Sequence, residues 1–488
     1  MMFVNYRTLS TTFLLVVTLT LTATAAGVLP VGQPEYRAIY DRLERLETLS
    51  ADRVDWQLGP YPLDDDRFSF GPFTQFRNAA EQRVHMFGFA GGDVRASKGN
   101  SGEAFGSFRG GLVGRPIDRV FVYGSFTIDE ELAEDPEYHG KVWRGFAGDV
   151  QDAFVRIDGG SFAATIGRFG SFWGIRNSLV LAGDSRLDGF GYRFRWGRLT
   201  ISYRLARLDG LSPQHDGVEE FENRYFAGHR LDWHISDRFR IGGFETVIFG
   251  GPGRQIELFY LNPLIFFHGT QLNEGADDNT LIGFDFTARP MLGLKLYGQL
   301  LIDDFQIDKR SQGDQETDQF GATFGLYAVD FPPQCDVRLE YTRVTNWTFN
   351  QVLERNRYSI NGDPLGAARG NDYDEFRLSL IRWLDDDLSV RLNGGWLRQG
   401  EGRVDAEWTA PWLATDGDYS EPFPTGVVER TVTGSLGLNG FVGDYLFVDV
   451  TGGVEFVHNR NHVAGDEATR PFAQVTVSAF LSTLVDLE

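Results

Sequence analysis

From about residue 70 to the end of the chain, apolar and polar side chains alternate with a period of two. In residues 198–208, RLTISYRLARL, the odd positions from Leu199 to Leu205 are apolar, whereas Thr200 and Arg204 are polar. Successive side chains of a β-strand point to opposite faces, so the pattern predicts a strand with one apolar and one polar face. Such segments recur about eighteen times, give or take two.

Two features favour a membrane barrel over a soluble sandwich. The polar face carries full charges of both signs, such as Lys295, Arg338 and Glu340. Tryptophans stand where apolar runs end, as in the interfacial girdles of outer-membrane barrels. They are Trp196, Trp347, Trp383 and Trp396.

The connections between the predicted strands support the same fold. Short turns alternate with long acidic loops, which is typical of the two rims of an outer-membrane barrel. We therefore predict an all-β fold, a transmembrane antiparallel β-barrel of about 18 strands with a short N-terminal helical segment. The apolar face from Leu199 to Leu205 is expected to contact lipid, and Arg204 is expected to face a hydrated lumen. The long loops are predicted at 209–222, 308–317, 350–371 and 403–426.

The N-terminus has the pattern of a secretory signal peptide. Arg7 precedes an apolar run from Phe13 to Leu21, and small residues follow. A basic start, a short apolar core and an A-x-A exit are typical of such signals. We therefore expect a signal peptide at 1–26 and export of the remaining chain to the cell outer membrane.

One helix is predicted after the signal. Apolar residues recur at three- and four-residue steps from Tyr36 to Leu49, and Pro34 stands where a helix can start. This predicts a helix at 35–50 within an N-terminal helical periplasmic segment, 27–70, with the barrel at 71–488. The helix either plugs the periplasmic mouth or forms an amphipathic cap.

Composition excludes some functions. The net charge is −22, and a nucleic-acid binder needs clustered basic residues, so nucleic acid is not an expected partner. Cys335 is the single cysteine, which rules out a disulfide framework or a cysteine-based zinc site within the chain.

Three stretches resemble one family in order and spacing. YDRLERLETLSADRVDWQLGPYPL is similar to its short helical entry, and residues 166–203 are similar to its central segment. FYLNPLIFFHGTQLNEGADDNTLIGFDF, followed by LGLKLYGQLLIDDFQI, is similar to its Asn-Pro-Leu segment and to the strand after it. The chain thus resembles the capsule assembly protein Wzi family. The resemblance implies an eighteen-stranded outer-membrane barrel with a small helical part at the periplasmic side, and a surface lectin that holds exported polysaccharide to the cell.

An acidic group is the first candidate binding site. Asp303 and Asp304 end one predicted strand, and Asp277, Asp278 and Asn279 open the strand before it. If 279–290 and 292–305 pair as a hairpin, these residues reach the same rim. Clustered oxygens suit a divalent cation or sugar hydroxyls. The alternative is a solvated acidic rim, and no metal site is predicted.

An aromatic and basic stretch, RFGSFWGIRN, is the second candidate. Phe172 and Trp173 offer flat faces to a sugar ring, and Arg168, Arg176 and Asn177 offer hydrogen-bond donors for hydroxyls or a carboxylate. The alternative is an aromatic belt with arginines that neutralise nearby lumen carboxylates.

No catalytic motif accompanies these residues. The sequence has neither a G-x-S-x-G elbow nor an H-E-x-x-H helix. No enzyme and no cofactor are therefore expected. The leading hypothesis is a polysaccharide-binding barrel, with outer-membrane lipid and surface or capsular polysaccharide as partners and a monomeric state. The alternative is a porin-like channel for small solutes.

Overall fold

The computed structural model describes residues 28–53, 59–62, 84–97, 100–135, 138, 140–213, 216–275, 277–305, 315–443 and 445–484. The predicted signal peptide, and the predicted boundary between 70 and 71, lie outside the described residues.

Eighteen strands of the described chain form one closed antiparallel barrel, in which each strand pairs with the next and the last pairs with the first. This confirms the predicted fold. The strands are β1 His85–Ser97, β2 Asn100–Ile117, β3 Val120–Asp129, β4 Ala147–Asp158, β5 Phe162–Phe172, β6 Ala182–Trp196, β7 Leu199–Arg207, β8 Glu222–Ser236, β9 Phe239–Pro252, β10 Asn279–Met291, β11 Leu294–Asp304, β12 Gln319–Ala328, β13 Asp336–Val344, β14 Tyr373–Trp383, β15 Leu388–Gln399, β16 Glu429–Val442, β17 Leu446–His458 and β18 Glu467–Leu484.

The two faces of the wall have the predicted chemistry, with one correction: Tyr203 and Leu205 were expected to contact lipid but are buried, because the loop between β9 and β10 packs over them. Leu231, Trp233 and Phe284 point outward and are exposed, as the lipid-facing side of a barrel requires. Arg204 points inward, where its Nη2 donates to the carbonyl oxygen of Leu187 at 2.6 Å. Arg204 is thus held by backbone carbonyl oxygens inside the barrel, which keeps its charge away from the hydrocarbon.

The two rims differ as predicted. One rim has short turns, such as 197–198 and 292–293, and the other has long connections, of which the structure describes 140–146, 216–221, 253–275, 345–372 and 400–428. Most of the predicted loop 308–317 lies outside the described residues. The girdle prediction holds for Trp196 and Trp396, which are exposed on the outer wall, and is wrong for the other two tryptophans. Trp347 is buried in a loop, and Trp383 donates from its Nε1 to Asp336 beneath the N-terminal helix.

Helix α1, Pro34–Leu49, lies in the lumen. Its apolar face, with Tyr36 and Leu43, packs on inward aromatics of the wall such as Phe87. The helix ends at the short-turn rim, where Gly293 N donates to Thr48 O at 2.9 Å. A 16-residue helix is marginal alone in water, so this packing stabilises it. The lumen position agrees with the plug rather than with the cap.

Shorter helices lie in the long loops. They are α2 Glu130–Glu134 and α3 Phe267–Glu274, with 3-10 turns at Leu258–Leu261, Glu354–Asn356, Pro411–Ala414 and Arg460–His462. Helix α3 was not expected from the sequence. Among the described helices, none has both the length and the hydropathy that a membrane crossing needs. Two-residue strands pair Val28–Leu29 with Tyr61–Pro62, and Ser359–Ile360 with Asp363–Pro364.

Candidate functional site

The loop between β5 and β6, residues 173–181, folds into the lumen. Gln299 of β11 holds it, because the Gln299 amide donates to Trp173 O at 3.0 Å and accepts from Leu179 N at 2.6 Å. Gly174 has φ +89°, and a Cβ there would lie 2.5 Å from an Asp285 carboxylate oxygen. Only glycine fits this conformation and this close approach to the wall.

A cavity of about 380 Å³ lies between this loop, α1 and the inward faces of β12 to β15. We call it the arginine cavity, because six arginines line it and only two carboxylates do so. The arginines are Arg37, Arg176, Arg338, Arg369, Arg377 and Arg391, and the carboxylates are Asp41 and Glu375.

Helix α1 sets the charge balance of this cavity. Asp41 forms an ion pair with Arg176 of the inward loop and another with Arg391 of β15, at 2.8 Å. It thereby links the loop to the wall. Burial, together with the charges of Arg338, Arg391 and Arg37, lowers the pKa of Arg176 to about 9. Burial disfavours the charged form and is the larger cause of this shift, and the neighbouring arginines add to it.

The residues of the aromatic and basic stretch are only partly brought together. Phe172, Arg176 and Asn177 line the arginine cavity. Asn177 Nδ2 also donates to Glu340 at 2.6 Å. Trp173 is only 4% exposed and does not line the cavity, so its ring faces the protein interior rather than a ligand.

Arg168 takes a different position from its neighbours. It has the same parity as Ile166, which is 64% exposed, and therefore points to the outside of the wall. There it forms a bidentate pair with Asp188 at 2.7 and 2.9 Å. This pair lines a second cavity of about 760 Å³ at the long-loop rim, together with Arg207 and the hairpin of Ser359–Pro364. Ala182 and Ala368 line both cavities, so the two are adjacent.

The acidic residues do not form one site. The strands pair as predicted, with Ile282 opposite Ile302. Each acidic side chain has a separate partner, however. Asp278 pairs with Arg254, Asp277 with Arg355 at 3.1 Å, Asp303 accepts from Phe349 N at 2.7 Å, and Asn279 donates to Asn356 O at 3.0 Å.

Asp304 ends β11 and approaches Glu316 of the following loop, where burial and the charge of Asp304 raise the pKa of Glu316 to about 7. Among the described residues, no group of three or more His, Cys, Asp or Glu side chains is placed to hold a metal ion. The hairpin brings both chain segments to the same rim, and there the side chains of Asp277, Asp278 and Asp303 contact different partners.

A buried ion network on the lumen side of β8 to β10 was not predicted. Arg230 pairs with Asp232 at 2.6 Å and with Asp285, and Arg240 pairs with Asp285 at 2.7 Å. The alternation of the sequence could have revealed this network, because its charged residues all lie at inward positions of three consecutive strands. Asp285 also lies against Gly174, so the network supports the inward loop.

These features define a class. The chain is a transmembrane-type β-barrel whose lumen holds a helix and an inward loop around a cationic cavity. Within this class it belongs to the capsule assembly protein Wzi family, whose family model matches residues 191–471, more than half of the sequence. The barrel accordingly lies in the outer membrane, as predicted.

Solved structures share this fold. The chain is similar to Wzi of Escherichia coli, described as a carbohydrate-binding β-barrel involved in group 1 capsule assembly. The TM-score is 0.61 at 14% identity, covering 93% of this chain and 99% of that one. It is also similar to OprD of Pseudomonas aeruginosa, with a TM-score of 0.47 at 10% identity, covering 83% and 95%. No curated protein sequence matches the chain.

Proposed function

We propose that this protein binds surface polysaccharide at the outer membrane and takes part in capsule assembly without catalysing a reaction. The observation that carries the proposal is the arginine cavity inside the barrel. Membership in the Wzi family supports the same role. The bound glycan is expected to approach from the long-loop rim, because the second cavity lies there and adjoins the first.

The lining of the cavity favours a glycan that carries carboxylates. Guanidinium groups bind carboxylates through two parallel hydrogen bonds, and six arginines face two carboxylates here. Asn177 adds amide donors for hydroxyls, and Tyr40 and Trp383 add aromatic surface. The ligand contacts in this proposal are Arg176, Asn177 and Phe172, with Arg168 at the rim.

The contents of the lumen argue for binding rather than for conduction. Helix α1 and loop 173–181 occupy the space through which a solute would pass. We therefore propose a monomeric, non-conducting barrel. A planar-bilayer recording of the purified protein tests this, and a large, steady open-channel current would overturn it in favour of a porin.

Direct binding tests the glycan role. Purified capsular polysaccharide of the producing cell is titrated onto the protein in detergent, alongside the same polysaccharide with its carboxyls reduced to alcohols. Arg176→Gln is expected to weaken binding of the native glycan at least tenfold, the loss of about one charge-assisted hydrogen bond. Arg403→Gln is the matched control, since Arg403 is exposed on a long loop and pairs only locally with Asp405.

Two outcomes would contradict the proposal. Equal binding of both glycans by wild type would remove the carboxylate argument. Unchanged capsule retention in cells that lack the protein would remove the role in capsule assembly.

A further inference from the structure

The loop between β9 and β10 lies on the outside of the barrel. On the outer face of β7, β8 and β9, the residues nearest the long-loop rim are buried. Leu231 and Trp233, farther from that rim on the same face of β8, are exposed. Tyr260 and Phe267 of the loop cover them and are themselves 0% exposed. The covered residues are Tyr203, Leu205, Tyr225, Ala227, Val247 and Phe249. We call residues 253–275 the outer-wall segment.

Polar contacts fix this segment to the wall. Glu245 points outward from β9 and accepts hydrogen bonds from the Phe267 and His268 backbone N–H groups at 2.8 and 2.7 Å. Its other neighbour is His229 of β8, at 3.3 Å. Thr280 of β10 hydrogen-bonds the His268 ring at 3.0 Å. Without the segment, an outward carboxylate and an imidazole would face hydrocarbon, which is costly.

The opposite side of the segment is apolar and exposed. Leu264 is 82% exposed and Leu258 is 79% exposed, and Ile256 and Phe266 are also exposed. Soluble proteins rarely expose such a group of large apolar side chains together. The group continues the apolar outer wall toward the long-loop rim, because the segment covers the part of β8 and β9 next to Leu231 and Trp233.

We propose that the outer-wall segment is an interfacial membrane anchor, with Ile256, Leu258, Leu264 and Phe266 inserted among the acyl chains of the outer leaflet. Its continuity with the lipid-facing wall identifies lipid as the partner. Arg254 at the start of the segment pairs with Asp278, three residues beyond its end, and this pair suits the polar headgroup level. It widens the apolar belt on one side of the barrel only, and so fixes the depth and orientation of the long loops above the membrane.

Site-directed spin labelling tests the anchor. Cys335→Ser removes the single cysteine, and Leu264→Cys or Leu258→Cys then carries a nitroxide in phosphatidylethanolamine and phosphatidylglycerol vesicles. Both side chains are exposed, so neither change disturbs packing. Phe284→Cys is the lipid-facing reference. Leu413→Cys, on a long loop and 60% exposed, is the aqueous reference.

If the segment is a membrane anchor, labels at 264 and 258 should collide severalfold more often with oxygen than with a polar nickel chelate, as the lipid-facing label at 284 does. Frequent collision with the chelate, as expected for the aqueous label at 413, would overturn the proposal. Labels that neither reagent reaches would point to a protein partner instead, and spin–spin broadening between labels would identify a second copy. Either result contradicts lipid as the partner, and neither depends on glycan binding.

Discussion

Glu44 of α1 provides the strongest test of how the helix is held in the lumen. Its side chain is 2% exposed and accepts from Arg338 Nη2 at 2.6 Å and from Lys295 Nζ at 3.1 Å. Burial alone would raise the pKa of Glu44, but the charges of Arg338 and Lys295 outweigh it and hold the pKa below its ordinary value. The carboxylate is therefore ionised at neutral pH and stabilises the docked helix.

Glu44→Ala leaves two buried cations with fewer partners. Removing one member of a buried ion pair costs about 3–5 kcal/mol, because the remaining charge is uncompensated. Lys295 still has Glu47 at 3.3 Å, whereas Arg338 loses its carboxylate partner, so we expect the lower end, about 3 kcal/mol. The strands retain their ladders, and the loss therefore concerns the docking of α1.

Hydrogen exchange of the α1 amides measures this loss. A cost of about 3 kcal/mol corresponds to roughly 100-fold faster exchange, at about 1.4 kcal/mol per factor of ten. Because the folded-state pKa of Glu44 is lowered, its contribution is present above the unfolded-state pKa and is lost as the pH falls through the folded-state pKa. Wild type in acid should therefore approach the variant.

Glu467→Ala is the control, since Glu467 pairs with His458 at an exposed site and such pairs contribute about 1 kcal/mol at most. If exchange in α1 accelerates no more in Glu44→Ala than in this control, the lumen ion pairs do not hold the helix, and the reasoning is refuted.

Three further predictions concern the plug and the rim. Arg289→Ala removes donors to Glu47 O and Ser50 O at 2.8 and 3.0 Å, and should speed exchange in the last turn of α1. The pKa of Glu316 is raised to about 7, so its neutral carboxyl group favours the folded loop at low pH, and this stabilisation is lost as the pH rises through 7. Glu316→Gln should flatten this pH dependence in a series of thermal-unfolding measurements. Gly174→Ala should cost about 1–3 kcal/mol and weaken glycan binding in titrations while heat-modifiable migration on gels persists.

The barrel could be predicted from the sequence because a strand has a period of two. Lys295 and Arg338 were assigned to the polar face, and the structure places both on the lumen side, where they pair with Glu44 of α1. Membership of the Wzi family was predicted from short motifs in the right order, and the family model bears this out. These properties depend on residues that are close together in the chain.

The candidate site was predicted less well, because its parts are distant in sequence. Arg176 and Asn177 do line the arginine cavity, but Trp173 was expected to stack on a sugar and is buried instead. Parity could not reveal this, since residues 173–181 leave the strand and turn inward. Asp277 and Asp278 were expected to share a site with Asp303 and Asp304; their side chains pair with Arg355 and Arg254, while Asp303 accepts from Phe349 N.

Alternation along the chain by itself determined which side chains point outward and which face the lumen, since that choice is local and repeats at every second residue. Only the tertiary structure decided what fills the lumen and what covers the wall. Glu44 and Lys295 are separated by 251 positions, and Glu245 on the lipid face becomes acceptable only beneath the outer-wall segment. Burial of a charge requires a partner, and closure of the barrel brings that partner within reach.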